Sequence, residues 1–422
     1  MEMDLEARIK HLHGPEELTY GLDELVVVCL VRDGRPYVKS FVEHYFSLGV
    51  KHIVFLDNGS TDGTVEAARS YENVTILQTE LPFKEYKKTL KRYLVTRFGQ
   101  GRWILYVDMD ELFDYPYSNV VGLDSFLRYL TEKSYTAVVA QMLDMFPEEP
   151  LEGRAGNSKD EPLKELHRFY DISRVRIKQR MKKKGRSRNN VVESEEIAVY
   201  KGGIREIVFN IDASLTKHPL MFLDDRLKPM EGPAPSHWVN NAKVADLMCV
   251  LFHYKFLDGY FHERIARFKR EKHLYGPERY KNYLEILDRD ASLQVKQKTS
   301  KELKGVNDLL EDGFLIVSED YLSWVDAEEK KSVLQTAIPQ GEPTEPTEAF
   351  LKFRRRERAK TLKMQRLGQQ QFYDRARIYD LKQQLRTSKQ QLKSIQASRT
   401  WKLMKMLHRI KARVLSFGRN PY

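Results

Sequence analysis

The chain has almost no cysteine: Cys29 and Cys249 are the only two among 422 residues. Two thiols cannot build a disulfide scaffold or a cysteine-rich zinc module. Both lie in apolar runs, where a buried and unreactive thiol is the expected state. The sequence therefore excludes the small disulfide-rich classes.

Long apolar runs are also missing. No stretch approaches 18 consecutive apolar residues, so no segment is predicted to span a bilayer. The first ten residues, MEMDLEARIK, have no apolar core of the kind that a secretory signal needs. We therefore expect a cytoplasmic protein, with any membrane attachment peripheral and on the inner face of the cell membrane.

Acidic residues are scarce in one region only. From Ala349 onward the chain has 21 Lys and Arg against three Asp and Glu, a net charge of +18. Since the whole chain carries +11, the preceding residues carry −7. A basic excess confined to one tail predicts contact with phosphate, lipid or another acidic surface. Few aromatic residues lie among these charges, and no nucleic-acid fold signature is present, so nucleic acid is not an expected partner.

The strongest pattern is an alternation of strand-like and helix-like segments. The strand-like segments are continuous apolar runs, as expected for strands that are buried on both faces. The predicted strands are Leu25–Val31, His52–Leu56, Val74–Leu77 and Trp103–Val107, and the predicted helices are Pro36–Leu48, Thr64–Tyr71 and Lys84–Phe98. This order predicts an α/β fold with a doubly wound, mostly parallel sheet, in which ligands bind at the carboxyl ends of the strands.

Beyond this unit the pattern is mixed. Further predicted strands are Ala137–Leu143, Gly202–Phe209, Leu220–Leu223 and Leu247–Phe252, with a helix over Gly259–His273. The Pro- and Glu-rich residues 339–346 are typical of a linker. The predicted organisation is an N-terminal extension (1–22), an α/β domain (23–290), a helical extension (291–337), a linker (338–348) and a basic helical tail (349–422).

Two parts of the tail show helical periodicity. The heptad positions of 378–395 predict self-association through a short coiled coil, which Ser388 interrupts; they are Ile378, Leu381, Leu385, Leu392 and Ile395. In 401–417, which begins with Trp401, apolar residues recur at spacings of three and four among basic ones. That pattern is typical of a helix on an anionic membrane surface. A helix packed on the body, or a coiled coil with a partner, is the alternative.

The sharpest candidate site is Asp108-Met109-Asp110-Glu111, directly after a predicted strand. Two carboxylates two residues apart can converge on one Mg²⁺ or Mn²⁺ ion, which prefers carboxylate oxygens together with substrate phosphates. Such an ion can neutralise a diphosphate leaving group. A solvated acidic loop is the alternative, but the strand before the motif favours a site.

A second candidate is the segment Asp57–Thr64, which reads DNGSTDGT. Its glycines and short polar residues predict a tight turn and a helix cap. A turn does not account for Asp57 at the end of the preceding strand. A carboxylate there can accept hydrogen bonds from a nucleobase or a ribose.

Taken together, Leu25–Arg32, the DNGSTDGT turn and WILYVDMDEL resemble family 2 glycosyltransferases of the GT-A fold. The match is to the bacterial subgroup that reads D-N-x-S-x-D-x-T followed by D-x-D-E-F/L. It covers residues 25–116 and, more loosely, 137–275, but does not extend to 290–422. The looser part rests on three blocks: Gly202–Arg205, Ser236–Trp238 and His253–Lys255.

The resemblance implies transfer of a sugar from a nucleotide-sugar donor to a hydroxyl of a glycan or lipid-linked acceptor, with inversion and with Mn²⁺ or Mg²⁺ as cofactor. It implies that Asp57 contacts the base, that Asp108 lies near the ribose and the metal, and that Asp110 is the principal metal ligand. Arg32 would lie beside the nucleotide. His253 would be a distal metal ligand or a diphosphate contact, or else a satisfied structural histidine.

Inversion by direct displacement also needs a base that takes the acceptor proton. Asp144, after a predicted strand, is the first candidate and Glu231 the second; an ordinary surface carboxylate is the alternative for each. Arg205 can pair with phosphate, since guanidinium suits that geometry, or form a structural salt bridge. His237 has the same two interpretations as His253.

Two basic segments complete the candidates. The predicted helix with Lys84, Lys88, Lys91 and Arg92 can steer an anionic donor, or can be a solvated face. The basic stretch 174–188 predicts a loop that closes over the site or contacts a phosphorylated lipid acceptor.

Two other classes remain open. A nucleotidyltransferase is disfavoured because the Gly-rich loop with a lysine expected after the first strand is absent. A non-catalytic scaffold, in which the tail is the function, would not need Asp57, Asp108 and Asp110.

Overall fold

The computed structural model describes residues 5–152, 162–181, 189–229, 239–257, 259, 261–263, 265, 276–289, 292–337 and 348–417. Its strands are β1 (Lys10–His13), β2 (Val26–Val31), β3 (His52–Asp57), β4 (Val74–Gln78), β5 (Trp103–Tyr106), β6 (Glu111–Asp114), β7 (Ala137–Asp144), β8 (Phe169–Tyr170), β9 (Arg176–Arg180), β10 (Val191–Val192), β11 (Ala198–Lys201), β12 (Thr216–Phe222), β13 (Lys228–Pro229), β14 (Val239–Asn240), β15 (Lys243–His253) and β16 (Lys301–Glu302). Its helices are α1 (Arg35–Leu48), α2 (Thr64–Arg69), α3 (Phe83–Gly99), α4 (Leu123–Glu132), α5 (Leu163–Leu166), α6 (Ile204–Phe209), α7 (Gly276–Arg289), α8 (Asp308–Glu311), α9 (Glu319–Ala337), α10 (Glu348–Ala397) and α11 (Arg399–Phe417).

The central sheet has the strand order β1-β4-β3-β2-β5-β12-β7-β15-β10, and β6 pairs with β15. Strands β4, β3, β2 and β5 are parallel, as are β7, β15 and β10. Strand β12 lies between the two groups and is antiparallel to both β5 and β7. The α/β class and the mostly parallel sheet are therefore confirmed, with one reversed strand at the centre.

Burial explains why the parallel strands could be recognised. Every residue of β2 and of β3 is buried, because helices cover both faces of a parallel sheet. Helix α1, which connects them, ends at Gly49 with a φ of 103°. Such a left-handed residue ends a helix at little cost when it is glycine.

The prediction of a strand over Gly202–Phe209 is wrong. Strand β11 ends at Lys201, and α6 occupies 204–209. Gly202 and Gly203 have φ values of 97° and 75°, which interrupt the extended backbone. Ile204 and Phe209 are then buried on the helix. The predicted linker and most of the predicted helix over 259–273 lie outside the described residues.

The first part of α10 packs on the body beyond the predicted start of the tail at residue 349. Arg354 and Arg358 both form ion pairs with Asp326 of α9. Further along, the guanidinium of Arg176 lies 3.7 Å from the ring centroid of Tyr379. Among the described helices, none combines the length and the apolar character that a membrane crossing requires.

Candidate active site at the carboxyl end of the sheet

Asp57, at the end of β3, closes the DNGSTDGT turn. Its carboxylate is fully buried and accepts hydrogen bonds from the backbone N–H of Gly59 and Ser60 and from the side chain of Gln78, at 3.0–3.2 Å. In this structure the carboxylate of Asp57 is therefore held by donors of the protein itself. The contact of Asp57 with a nucleobase stays a prediction.

The same turn is fixed to the loop that follows β2. Three side chains of the turn accept backbone N–H groups of that loop: Ser60 from Asp33 (2.8 Å), Thr64 from Gly34 (2.8 Å) and Asp62 from Arg35 (2.9 Å). Arg32 begins this loop, and its side chain is 49% exposed. The structure thus places an accessible guanidinium next to a rigid turn.

The acidic motif follows β5, on the other side of β2 from Asp57. Met109, between its two aspartates, is buried, with its sulfur 4.0 Å from the sulfur of Cys29 in β2. Further along, the hydroxyl of Tyr45 donates to the carbonyl of Glu111 at 2.9 Å. These contacts anchor the motif to the sheet and to α1.

Two buried lysines hold Asp108. The ammonium of Lys91 in α3 lies 2.8 Å from one carboxylate oxygen, and that of Lys217 in β12 lies 3.0 Å from the other. Burial alone would raise the pKa of Asp108, but these two charges hold it well below its usual value. Asp108 therefore stays ionised and fixed in place.

Lys217 also pairs with Glu111, at 2.5 Å. Burial alone would lower the pKa of Lys217, yet the carboxylates of Asp108 and Glu111 raise it above its usual value. The other oxygen of Glu111 accepts the backbone N–H of Asp108 at 3.2 Å. A single lysine thus bridges both ends of the four-residue motif.

Asp110, Glu111 and His253 form a group that could hold a metal ion. Each is buried, and one donor atom from each lies within 4.8 Å of the others. His253 comes from the end of β15, which pairs with β6 and places its imidazole beside the motif. The structure therefore brings the predicted ligands Asp110 and His253 together. The third member of the group is Glu111, whereas the predicted third ligand was Asp108.

Asp144, at the end of β7, holds the imidazole of His253 on the side away from Asp110. Its Nδ1 lies 2.5 Å from one oxygen of Asp144, and its Nε2 lies 3.5 Å from Asp110. The other oxygen of Asp144 accepts the Nε–H of Arg205 at 2.7 Å. Burial alone would raise the pKa of Asp144, but Arg205 and His253 lower it to about 2.

The remaining predicted residues fall into three situations. Arg205 is buried and forms a salt bridge with Asp144, which is the second of the two roles predicted for it. Lys91, predicted as part of a steering or solvated face, is buried instead. Glu231, His237 and residues 182–188 lie outside the described residues, and the predicted loop over 174–188 is wrong for Arg176–Arg180, which form strand β9.

Sequence reasoning missed Lys217 and gave Glu111 no role. Lys217 lies in the run TKHPLMF between Thr216 and His218, so no apolar run marked it in the sequence as a buried strand residue. A strand residue that carries a charge inside a buried run must find a partner in the fold.

No family model matches the chain, and no curated protein matches it. A solved structure of a nucleotidyl transferase from Methanothermobacter thermautotroptrophicus is similar over 30% of this chain and 63% of that one, at 14% identity. The match thus spans less than two thirds of that protein, at a TM-score of 0.18.

Proposed function

We propose that the chain is a glycosyltransferase of the GT-A type, which moves a sugar from a nucleotide-sugar donor to a hydroxyl of a glycan or lipid-linked acceptor. Its place would be in the assembly of envelope or surface polysaccharide or glycolipid. The observation that carries the proposal is the buried trio of Asp110, Glu111 and His253 beside Asp108, at the ligand-binding edge of an α/β sheet.

The donor set of the trio fits a divalent cation. Two carboxylates and one imidazole suit Mn²⁺ better than Mg²⁺, whose protein sites are built almost wholly from oxygen. Asp110, Glu111 and His253 would hold the ion. When bound, it would supply positive charge to the leaving diphosphate.

Asp108 has a separate role in this proposal. Because Lys91 and Lys217 keep it ionised and immobile, it is suited to accept a hydrogen bond from a ribose hydroxyl. A carboxylate that is already fixed loses no side-chain freedom when the donor binds.

Asp144 is better suited to position His253 than to act as the base. Both of its oxygens are occupied, and a carboxylate with a pKa of about 2 is a weak proton acceptor. Holding the second nitrogen of a metal-binding histidine is a common task for a carboxylate. Of the two predicted bases, Glu231 therefore becomes the stronger candidate.

The reaction can be tested from its products. The purified chain would be incubated with Mn²⁺, radiolabelled UDP- and GDP-sugars and a bacterial lipid and glycan extract. We expect sugar incorporation with release of the nucleoside diphosphate from one donor, reduced about a hundredfold or more in Asp110→Ala.

The matched control is Glu132→Ala, which removes an exposed carboxylate of α4 and should leave the rate unchanged. Release of pyrophosphate with transfer of the nucleoside monophosphate would instead identify a nucleotidyltransferase. Equal rates in Asp110→Ala and in the wild type would remove the metal site from the reaction.

A further inference from the structure

The chain exposes an unusual amount of apolar surface from Ile378 onward. Along the last part of α10 and along α11, ten large apolar side chains are each between 50% and 56% exposed: Ile378, Leu381, Leu385, Leu392, Ile395, Leu403, Met404, Met406, Leu407 and Ile410. The five on α11 lie within the eight residues from Leu403 to Ile410, and an exposed apolar patch of this kind marks a binding surface.

The charges beside this face are all of one sign. Residues 381–417 contain ten Lys and Arg and no Asp or Glu. In α11, Lys405, Arg409 and Lys411 are exposed next to the apolar residues. The surface therefore offers apolar contact and positive charge together.

A second copy of the chain is a poor occupant of this face. In the heptad register of α10, Lys382 and Lys389 follow core positions. Asp380 is the one acidic residue of 378–395, whose four basic residues are Lys382, Arg386, Lys389 and Lys393. Two copies would therefore bring like charges together along the seam. An anionic bilayer surface supplies both negative charge and an apolar interior.

We propose that α11 lies in the interface of an anionic membrane, with its apolar residues in the acyl boundary and its basic residues at the headgroups. The free end of α10 then acts as a spacer. From Tyr379, which still contacts the body, to Ala397 an α-helix spans about 27 Å at about 1.5 Å per residue.

The charge of the chain is concentrated beyond the body. Residues 1–379, which include the part of α10 that packs on the body, carry a net charge of +1, whereas residues 380–422 carry +10. Electrostatic attraction to an anionic surface therefore comes almost wholly from the free end of α10 and from α11. This inference rests on the proposed function in that it names a membrane partner for the proposed enzyme. Vesicle binding requires no sugar donor, so the membrane proposal and the glycosyltransferase proposal can fail separately.

Vesicle co-sedimentation of the full chain tests the inference. One set of vesicles contains phosphatidylcholine alone, and the other contains phosphatidylcholine mixed with phosphatidylglycerol. We expect binding to the anionic vesicles at least about tenfold stronger than to the neutral ones, and weaker binding at high salt. The double variants Leu403→Gln/Leu407→Gln and Lys405→Glu/Arg409→Glu should each lower binding by about tenfold or more.

The matched control is Leu385→Gln/Leu392→Gln, which changes two leucines of equal exposure in the spacer. It should bind vesicles like the wild type. Circular dichroism would confirm that each variant keeps its helix content. An equal loss of binding in this control, or no preference for anionic vesicles, would overturn the proposal. A dimer in light scattering that Leu403→Gln/Leu407→Gln dissociates would assign the face to a second copy instead.

Discussion

The candidate site and the tail use charge in opposite ways. At the carboxyl end of the sheet, Lys91, Lys217 and Arg205 each contact a carboxylate within 3.0 Å. In residues 381–417, ten basic residues have no acidic residue among them. Paired charges inside the body fix the positions of side chains, whereas the basic residues of 381–417, which have no acidic residue beside them in sequence, are suited to an acidic partner.

The largest expected effect comes from breaking the paired network at Lys217. Lys217→Met leaves Asp108 and Glu111 close together without the cation that bridges them. Breaking a buried ion pair by removing one partner costs about 3–5 kcal/mol. We expect a loss of that size in the free energy of unfolding, measured by urea denaturation.

A surface ion pair provides the control for this variant. Lys201 contacts Asp212 at 2.8 Å, but both side chains are partly exposed. Lys201→Met should therefore cost less than about 1 kcal/mol. If the two variants lost the same free energy, burial of the network would not be what makes it important.

An intermediate loss in the free energy of unfolding is expected when the pH is lowered. His52, at the start of β3, is buried, and its burial lowers its pKa from 6.5 to about 4. The hydroxyl of Thr75 donates to the carbonyl of Pro15, so His52 donates from Nε2 to Thr75 and accepts from Tyr20 at Nδ1. The neutral imidazole satisfies both contacts.

The sign of the effect follows from this depressed pKa. The unfolded chain binds the proton below pH 6.5, whereas the folded chain binds it only near pH 4, so the stability present above 6.5 is lost as the pH falls. The slope is at most about 1.4 kcal/mol per pH unit for one group. His52→Gln should flatten the fall in unfolding free energy between pH 6.5 and 4, whereas His408→Gln, on the exposed tail, should leave it unchanged. A fall equally steep in His52→Gln would locate the acid sensitivity elsewhere.

The smallest effect on stability is expected in the tail. Lys405→Glu/Arg409→Glu changes two exposed residues without carboxylate partners within residues 381–417. Substitutions of this kind usually change the free energy of unfolding by no more than about 0.5 kcal/mol. Thermal unfolding would therefore match the wild type while vesicle binding is lost. A large fall in the unfolding temperature would mean that α11 packs against the body in solution.

The comparison also explains what could be predicted from the sequence. The strands β2 and β3 were recognisable because burial on both faces requires continuous apolar runs. Asp110 was recognisable because it follows such a run. These signals are local, and they place the acidic motif at the right edge of the sheet.

The partners of the motif could not be found in this way. Lys217 lies more than 100 residues from Asp108 and reaches it only because β12 inserts, reversed, between β5 and β7. Lys91 lies on a basic helix whose spacing resembles a solvated face, and only packing on the sheet shows that it is buried. The Gly202–Phe209 error has a local origin, since the two glycines interrupt the strand and Arg205 and Glu206 divide the apolar residues that follow.

The central claim is that the acidic motif binds a nucleotide through a divalent cation, and thermal unfolding tests it most directly. The unfolding temperature would be measured with UDP, GDP and CMP, with and without Mn²⁺, for the wild type and for Asp110→Ala. A ligand that binds the native state raises this temperature by mass action. We predict a rise with one nucleotide that requires Mn²⁺ and is absent in Asp110→Ala. A well-folded wild type that shows no rise with any of these nucleotides would contradict the account.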